Sequence, residues 1–493
     1  MKRKGWLSGN TTSGDAIILA AVRLMTMGLS LITTRVLSTY LSKFEYGTYS
    51  QVLLIVSTTV SLTMLGFIDA ANFYYCGTKE TEKRESYIAT ILTLQCCTGT
   101  LAGAAILLLS GPICKYFGNQ ELRKYLIFAA ILPLLQNGTS LLQVLFVSVG
   151  KARRLAIRNL IVSLVQLACA IAVGMYLRNI GLIFAVSVTL NVGQILFFIW
   201  SLRKSGCCIR LTSCDFGLSG SILKYSIPMA VFTIVNTLNR DLDKYLISAM
   251  SDTETLAVYS NAAKVLPFDI LLVSFMTVLL PYITRQIAGK RYDEAIETYR
   301  TYLEISYVST ALLAFGVLVA APEAMELLYS EKYLSGLPVF CIYILVDIFH
   351  FASITLILTA SGKTKLLMQL GFAGLAVNFV LNILLYHLLG IPGPAIATLL
   401  VSLGMGSVIL HYSAKELRVT IGALFERAFI VKFVGECIGG FCVFAAVRYW
   451  LNLNGVYYPL VLIIAGGGYI ISLGLLNLKR LSQNLKRISS LKL

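Results

Sequence analysis

Long runs of apolar residues, separated by short polar segments, repeat along the whole chain. An α-helix of about 20 apolar residues crosses the ~30 Å hydrocarbon core of a bilayer, because only a helix satisfies its own backbone hydrogen bonds there. The pattern therefore predicts an all-α polytopic membrane protein with about 14 transmembrane helices. The fourteen predicted helices begin near Asp15, Thr48, Tyr87, Tyr125, Ala156, Leu182, Tyr225, Val258, Leu303, Leu337, Leu366, Pro394, Ala428 and Tyr458.

Composition supports a membrane protein, and the placement of charge predicts how the chain is oriented in the membrane. The 493 residues are 57% apolar and only 13% charged, which is too little polar surface for a soluble protein of this length. If the N-terminus is cytoplasmic, 29 of the 41 Lys and Arg residues fall in cytoplasmic segments and six in outer loops. By the positive-inside rule, we expect both termini of a multi-pass membrane protein to lie in the cytoplasm. The net charge of +17 then needs no nucleic-acid partner.

Two halves of the chain share a sequence pattern. The first copy reads TRVLSTYLSKFEYGTYS from Thr34, and the second reads DKYLISAMSDTETLAVYS from Asp243. Internal repeats of this kind are typical of transporters. Matched residues lie 209 to 212 positions apart: Arg35 with Lys244, Leu37 with Leu246, Ser42 with Ser251, Tyr49 with Tyr259, Ser50 with Ser260, Gly150-Lys151 with Gly362-Lys363, Gly181 with Gly393, and Ala185 with Ala397.

The repeat divides the chain into three predicted parts. Helices one to six form an N-lobe at residues 1–205, and helices seven to twelve form a C-lobe at residues 206–415. Both lobes start inside, so we expect two parallel six-helix lobes related by an axis along the membrane normal. Residues 416–493 add helices thirteen and fourteen and a basic cytoplasmic tail.

Catalytic and metal-binding patterns are missing from the sequence. The chain has no Walker loop, and its three histidines have no Ser or Cys partner at a readable spacing. Cys207, Cys208 and Cys214 do not match the spacing of a closed zinc site, and Cys114 alone among the eleven cysteines is predicted to face outward. We therefore predict a protein that is not an enzyme and has no metal site or cofactor.

Charged residues inside predicted membrane helices are the candidates for function, because a buried ion is costly and is kept for a reason. Arg23, Arg35, Arg240 and Lys244 lie on the first helix of each copy, and Lys264 lies on the eighth. Asn236, Arg240, Asp243 and Lys244 share one helix face, which we expect to line a water-filled cavity between the lobes. Structural ion pairs with Asp241 or Asp243 are the alternative. Arg448, beside Tyr449 and Trp450, suggests an interfacial anchor.

Acidic residues raise the question of an ion that drives transport. Asp347 and His350 are three residues apart on the tenth helix, a spacing that suits proton transfer. Asp69, Asp241 and Asp269 are further candidates for H⁺ or Na⁺ binding. Helix capping or simple ion pairing is the alternative for each of them.

Four patterns together resemble a known family. They are the TRVLS…FEYGTYS opening, the segment from Pro228 to Asp241 followed by AVYS, the two Gly-Lys turns, and NFVLN…GIPGPAIAT from Asn378 to Thr398. In order and spacing they resemble the Wzx-like polysaccharide (oligosaccharide) flippases of the MATE-related MOP superfamily, which move undecaprenyl-diphosphate-linked repeat units for O-antigen, capsule or related surface polysaccharides. The resemblance covers essentially the whole chain.

The resemblance implies a MATE-like core of two six-helix lobes with alternating access and a cationic cavity for the diphosphate and sugars. It also implies a lipid-linked oligosaccharide substrate, contact with membrane lipids, and a polysaccharide polymerase and glycosyltransferases as partners of a monomer. Arg23, Arg35, Arg240, Lys244 and Lys264 are then substrate contacts. An ion-coupled MATE-type antiporter of small molecules and a peptidoglycan-precursor flippase remain alternatives, and a glycan enzyme and a scaffold are weaker ones.

Overall fold

Helices make up every regular element of the described residues. The computed structural model describes residues 13–77, 80–148, 152–177, 179–204, 213–264, 266, 270–350 and 354–489. The predicted all-α class is therefore confirmed.

Backbone contacts divide the chain into two compact units, the first ending at Thr237 and the second starting at Leu238. The division falls inside one long helix, α9. The predicted limits of the lobes, 1–205 and 206–415, stay a prediction. Unit 1 contains α1 (Ser13–Tyr40), α2 (Lys43–Met64), α3 (Phe67–Gly77), α4 (Thr81–Leu108), α5 (Ser110–Tyr116), α6 (Leu126–Ser148), α7 (Ala152–Ala172), α8 (Ile180–Arg203) and the first part of α9 (Ser219–Met250).

Unit 2 holds the remainder of α9 and eleven further helices. They are α10 (Thr253–Ala262), α11 (Ile270–Ala288), α12 (Tyr292–Val319), α13 (Ala321–Tyr329), α14 (Leu337–His350), α15 (Leu356–Ala360), α16 (Thr364–Leu389), α17 (Pro392–Glu416), α18 (Arg427–Leu453), α19 (Tyr458–Val461) and α20 (Gly468–Ser489). A short π-helical stretch, Leu462–Gly467, joins α19 to α20.

Eleven helices among the described residues are long and apolar enough to cross a membrane, and α2 with α3 adds a twelfth span if the bent pair is counted as one. The two predicted spans outside this set correspond to α1 and to α10 with α11. For α1, the side chains before Val22 lie outside the described residues. Helix α10 ends at Ala262, and Ala263, Lys264 and Leu266 lie outside any helix before α11 begins at Ile270. The exact count of fourteen stays a prediction.

Several helices extend beyond their apolar runs. The ninth predicted span starts near Leu303, but α12 begins at Tyr292. Its first three turns are amphipathic: Ala295, Tyr299 and Tyr302 are fully buried in a cluster with Leu279 and other side chains of unit 2. Hydrophobicity averaged over the segment is low because the opposite face carries acidic residues, so the sequence pattern placed the start too late.

A sharp bend separates α2 from α3. Leu65 and Gly66 have positive φ angles of 46° and 68°, and the two helices meet at 41°. A Cβ atom on Gly66 would lie 2.4 Å from the backbone oxygen of Ser226, so only glycine fits both the angle and the contact. The predicted span from Thr48 is therefore a broken helix within unit 1.

The repeated sequence forms the same helix–turn–helix in both units. Helix α1 ends at Tyr40 and α2 begins at Lys43, while α9 ends at Met250 and α10 begins at Thr253. Ser42 caps α2 by accepting a hydrogen bond from the Glu45 backbone at 3.2 Å. Asp252 caps α10 by accepting one from the Thr255 backbone at 2.6 Å. The equivalent cap therefore lies one residue beyond Ser251, where the second copy has its inserted residue.

The C-terminal helices pack on α12 within unit 2. Glycines allow the close approach: a Cβ atom on Gly316 would lie 2.4 Å from Ile470, and one on Gly466 would lie 2.7 Å from the Gly316 oxygen. A buried cluster that includes Leu312, Phe433 and Tyr469 continues this contact. Residues 427–489 are thus built into the core of unit 2.

Candidate functional site

The second half of α9 carries a charged cluster, defined by Arg240, Asp241, Asp243 and Lys244. The Asp241 carboxylate lies between two cations, at 3.0 Å from Arg240 Nη2 and 2.9 Å from Lys244 Nζ. Its side chain is 6% exposed, that of Lys244 is 20% exposed and that of Arg240 is 54% exposed. Asp241 therefore pairs with both cations and offsets one of their two positive charges, and the Arg240 guanidinium remains accessible.

A second carboxylate lies deeper in the same cluster. Asp243 is 1% exposed, and its Oδ2 accepts hydrogen bonds from the hydroxyl groups of Tyr259, at 2.7 Å, and Tyr343. Its Oδ1 accepts the backbone N–H of Lys244 at 2.8 Å. The phenols come from α10 and α14, so this carboxylate joins three helices of unit 2. Charge-assisted hydrogen bonds of this kind compensate for burying the carboxylate.

Lys264 lies next to this cluster, in the break that follows α10. It is half-buried, and its ammonium group is close enough to Lys244 for the two positive charges to repel each other. Discontinuous helices are where membrane transporters commonly place charged ligand groups. The structure thus brings Arg240, Asp241, Lys244 and Lys264 together, as four of the sequence-predicted residues.

Asp347, on α14, contacts the non-helical residues that follow α10. It is 1% exposed, and its Oδ2 accepts the backbone N–H of Leu266 at 3.2 Å. A broken helix leaves backbone N–H groups without an intrahelical acceptor, and a carboxylate can replace the missing carbonyl. This contact gives Asp347 a structural role. The side chain of its predicted partner, His350, and the whole of Asp269 lie outside the described residues.

The charged residues of unit 1 are arranged differently. Arg23 on α1 is exposed and forms no ion pair with a described carboxylate, and Arg35 is half-buried on the same helix. The hydroxyl group of Thr26 donates to the Arg23 backbone carbonyl at 2.8 Å. Asp69 is exposed on α3. The structure does not join Asp69 to either arginine by an ion pair.

Two charged contacts escaped the sequence analysis. Arg448 was expected to be an interfacial anchor, but its Nε lies 2.9 Å from both carboxylate oxygens of Glu323, which also accepts from Asn452 at 2.9 Å. Arg158 lies within α7, near the start of the fifth predicted span, and donates to the side chains of Gln194 and Gln143. Arg448 is 125 residues from Glu323, and Arg158 is 36 residues from Gln194. Partners so far apart in the chain cannot be matched from the sequence pattern of one helix.

An apolar chamber of about 550 Å³ lies within unit 2. It is lined by α12, α14, α17 and α18, with side chains such as Phe315, Leu403 and Phe433 on its walls. The charged residues that line it are Arg300 and Glu304 of α12 and Glu426, which directly precedes α18. Its chemistry suits a hydrocarbon chain with a polar group at one end.

Known proteins share parts of this sequence. The probable lipid II flippase MurJ of Rickettsia prowazekii is 22% identical over 373 residues, which cover 70% of this chain and 69% of that protein.

Solved structures share the fold over most of the chain. Lipid II flippase MurJ in an inward closed conformation gives a TM-score of 0.73 at 17% identity, covering 94% of this chain and 99% of that chain. An inward-facing multidrug resistance MATE family transporter of the MOP superfamily gives a TM-score of 0.65 at 14% identity, covering 82% of this chain and 98% of that chain. At these identities the likeness establishes a MATE-like fold.

The family itself is shown by sequence. The family described as polysaccharide biosynthesis protein matches residues 36–338, which is more than half of the chain. This range includes the end of α1, the turn and α2 of the first copy, the whole second copy, and the charged cluster on α9. The resemblance predicted from the sequence is thereby confirmed, and the chain belongs to the polysaccharide biosynthesis protein family.

Proposed function

We propose that this protein is a flippase that moves undecaprenyl-diphosphate-linked oligosaccharide repeat units from the inner to the outer leaflet of the bacterial cytoplasmic membrane, by alternating access. The observation that carries the proposal is Arg23, an exposed cation on α1, which the sequence predicts to cross the membrane; Arg23 forms no ion pair with a described carboxylate. A cation in that position requires an anionic ligand to offset its cost in the membrane. The diphosphate of a lipid-linked sugar is such a ligand.

Other residues support the same substrate class. Arg240 is 54% exposed beside Asp241, so it can donate to an anionic group without leaving that carboxylate. Lys244 and Lys264 add positive charge next to it. Arg35 follows Arg23 on α1. We assign these five cations to the diphosphate or to anionic sugars, and we expect a cationic drug to be a poor ligand for them.

The apolar chamber supports a lipid-linked substrate rather than a free sugar. Its walls offer almost no hydrogen-bonding groups, and its volume of about 550 Å³ holds a segment of an isoprenoid chain. A chain lying there places its polar end near Arg300 and Glu304. A transporter of soluble molecules has no need of such a chamber.

The placement in the cell follows from the distribution of charge. The excess of Lys and Arg in alternate loops favours cytoplasmic termini, and hence a substrate that is loaded on the cytoplasmic side. Glycosyltransferases that build the repeat unit and a polymerase that consumes it are the partners that such a reaction sequence requires. We expect no chemical conversion of the substrate by this protein.

A peptidoglycan-precursor flippase is the second candidate. The relative and the structural neighbour named lipid II flippase MurJ favour it, and lipid II is also a diphosphate-linked glycolipid. The cations and the chamber suit both substrates equally. The family match to polysaccharide biosynthesis proteins favours the oligosaccharide.

Mass spectrometry of membranes after depletion of the protein separates these candidates. Accumulation of a complete, unpolymerised repeat unit on polyprenyl diphosphate supports the first. Accumulation of peptidoglycan precursor transfers the assignment to the second. An unchanged lipid-linked pool, with altered sensitivity to toxic compounds, supports a small-molecule antiporter instead.

Coupling to H⁺ or Na⁺ is a separate part of the proposal. Asp347, Asp241 and Asp69 are the candidates among described residues, with His350 and Asp269 outside them. Asparagine at position 347 can still accept the Leu266 N–H, so Asp347→Asn separates the structural role from titration. Transport that keeps its dependence on an imposed pH gradient in this variant removes Asp347 from the coupling mechanism.

A further inference from the structure

Four aromatic rings meet on one surface of unit 1, outside the charged cluster and the chamber. Phe73 and Tyr74 come from α3, Tyr87 comes from α4, and Tyr225 comes from α9; we call them the aromatic wall. The Phe73 and Tyr225 rings are stacked with centroids 4.5 Å apart and planes 19° apart. The Tyr74 and Tyr87 rings are stacked at 4.1 Å and 12°.

The two stacked pairs stand at steep angles to each other. Phe73 meets Tyr74 edge-on at 5.2 Å and 83°, and Tyr74 meets Tyr225 at 6.1 Å and 65°. The Tyr74 hydroxyl donates to the Ser221 carbonyl at 3.1 Å, which fixes the corner of the wall. Four rings held by three helices form a rigid surface, and ordering them costs little further entropy on binding.

The wall is open on one side. Phe73 is 52% exposed and Tyr225 is 37% exposed. The hydroxyl groups of Tyr87 and Tyr225 form no hydrogen bond with a described residue, so they remain available to a ligand. Tyr259, a core tyrosine, is by contrast fully buried and donates to Asp243. Tyr74 and Tyr87 also pack against the apolar core of unit 1, so the open part of the wall is formed by Phe73 and Tyr225.

Its location is at one end of unit 1. Tyr87 and Tyr225 each lie six residues after the start of their helix, which is about 9 Å along the axis. Basic residues flank this end: the Arg84 guanidinium lies 4.8 Å from the Tyr75 ring centroid, and Lys83 and Lys224 are exposed. By the positive-inside rule these charges place the wall on the cytoplasmic side.

We propose that the aromatic wall is the surface on which the sugar portion of the lipid-linked substrate stacks before transport. This inference rests on the proposed function and names the part of the chain that reads the sugar. One face of a pyranose ring presents C–H groups with partial positive charge, and aromatic faces carry partial negative charge, so the two stack. The neighbouring Tyr87 and Tyr225 hydroxyls and the flanking cations can then bond to sugar hydroxyls or carboxylates.

Anchoring in the membrane interface is the competing role for exposed aromatic residues. The two roles differ in what they require of the side chain. An anchor depends on apolar area and survives replacement by leucine, whereas stacking depends on a flat ring. The leucine variants Phe73→Leu and Tyr225→Leu therefore separate the roles, and Tyr225→Phe keeps the ring as a matched control.

The experiment measures affinity in lipid nanodiscs that contain the full-length protein. The probes are polyprenyl-diphosphate-linked oligosaccharides extracted from cells depleted of this protein, and bare undecaprenyl diphosphate. The wild-type protein is expected to prefer the glycan-linked lipid. The double variant Phe73→Leu with Tyr225→Leu is expected to lose about tenfold of this preference, with its affinity for bare undecaprenyl diphosphate unchanged.

Controls keep the result interpretable. Tyr457→Leu, at an exposed tyrosine in unit 2, is expected to retain the wild-type preference, and Tyr225→Phe, which keeps the ring and loses one hydroxyl group, is expected to lose less of it than Tyr225→Leu. The affinity for the bare lipid reports on folding. If the double variant does not fold, each single leucine variant is tested, with an expected loss of about threefold.

Failure of the inference and failure of the proposed function look different. A wild-type preference for the glycan-linked lipid that the leucine variants retain in full overturns the role of the wall and leaves the flippase proposal standing. A wild-type protein that binds both lipids equally overturns the inference together with the proposed substrate.

Discussion

Helices α1 and α9 begin the two copies of the repeat and carry similar cations, but the cations of α9 are paired with a carboxylate and Arg23 of α1 is not. On α9, Asp241 lies within 3.0 Å of both Arg240 and Lys244, and Asp243 is buried beside them. On α1, the only carboxylate is that of Asp15, eight residues before Arg23. The duplicated sequence therefore produced one helix whose cations pair with a carboxylate and one whose Arg23 forms no ion pair with a described carboxylate.

This difference suggests a division of labour between the repeats. In unit 2, hydrogen bonds to Asp243 hold α9, α10 and α14 together. In unit 1, we expect the exposed Arg23 to bind an anionic group of the substrate. A cation that is already neutralised contributes less to binding an anion than a cation without a partner. Four variants test this contrast, in order of decreasing effect.

Removal of Asp241 is expected to have the largest effect. Asp241→Ala leaves Lys244, which is 20% exposed, without its carboxylate partner at 2.9 Å. We expect a loss of about 3 kcal/mol in the free energy of unfolding, because an uncompensated charge then remains partly buried. Unfolding in mild detergent measures it. Asp69→Ala, an exposed carboxylate on α3, serves as the control and should change stability by less than about 0.5 kcal/mol.

Removal of Arg23 should affect transport rather than stability. Arg23→Ala removes the exposed cation on α1, and we expect export of the lipid-linked substrate to fall about tenfold, the value of one charge-assisted hydrogen bond to a diphosphate. Arg23→Lys should retain most of the activity. Lys115→Ala, at an exposed cation on α5, should leave export unchanged. Equal loss in the Arg23 and Lys115 variants would contradict a specific role for Arg23.

Removal of one phenol tests the deeper part of the α9 cluster. Tyr343→Phe deletes a hydroxyl group that donates to Asp243. We expect a loss of about 1 kcal/mol in unfolding free energy, because Tyr259 still satisfies the same carboxylate oxygen. Tyr412→Phe, which removes a hydroxyl with no hydrogen bond to a described residue, provides the comparison. Identical stability of the two variants would show that Asp243 does not depend on Tyr343.

Removal of Arg240 should have the smallest effect on stability. Its side chain is 54% exposed, so its pair with Asp241 is screened, and Asp241 keeps Lys244 as a partner. Arg240→Ala is expected to cost less than about 1 kcal/mol. Thermal unfolding of Arg240→Ala and Lys244→Ala, measured side by side, shows which variant loses more stability. We expect the Lys244–Asp241 pair to contribute more to stability than the Arg240–Asp241 pair. An Arg240 variant that is less stable than the Lys244 variant would contradict this.

The sequence predicted much of the fold because apolar runs and membrane helices obey the same length requirement. The start of α12 at Tyr292 was missed, since burial of Tyr299 and Tyr302 depends on neighbours distant in the chain. The break after α10 was also missed, although Pro267 in the sequence is a signal that hydropathy ignores. Asp347 acquires its role at the break only through Leu266, 81 residues away.

The sequence grouped charged residues correctly where the partners are close in sequence, and their roles in binding and coupling stay predictions. Arg240, Asp241 and Lys244 lie within two turns of one helix, so their spacing was sufficient to group them. The pair of Arg448 with Glu323 and the aromatic wall each join helices that are far apart in the chain. No pattern along one helix reveals such contacts, and they require the packed structure.

The most direct test of the central claim measures flipping in proteoliposomes. Polyprenyl-diphosphate-linked oligosaccharide from depleted cells is reconstituted with wild-type protein or with Arg23→Ala, and the fraction of glycan that reacts with a membrane-impermeant reagent is followed over time. We predict that wild-type protein makes the inner pool of substrate accessible and that Arg23→Ala does so about tenfold more slowly. Wild-type vesicles whose inner pool stays as protected as in protein-free vesicles would contradict the account.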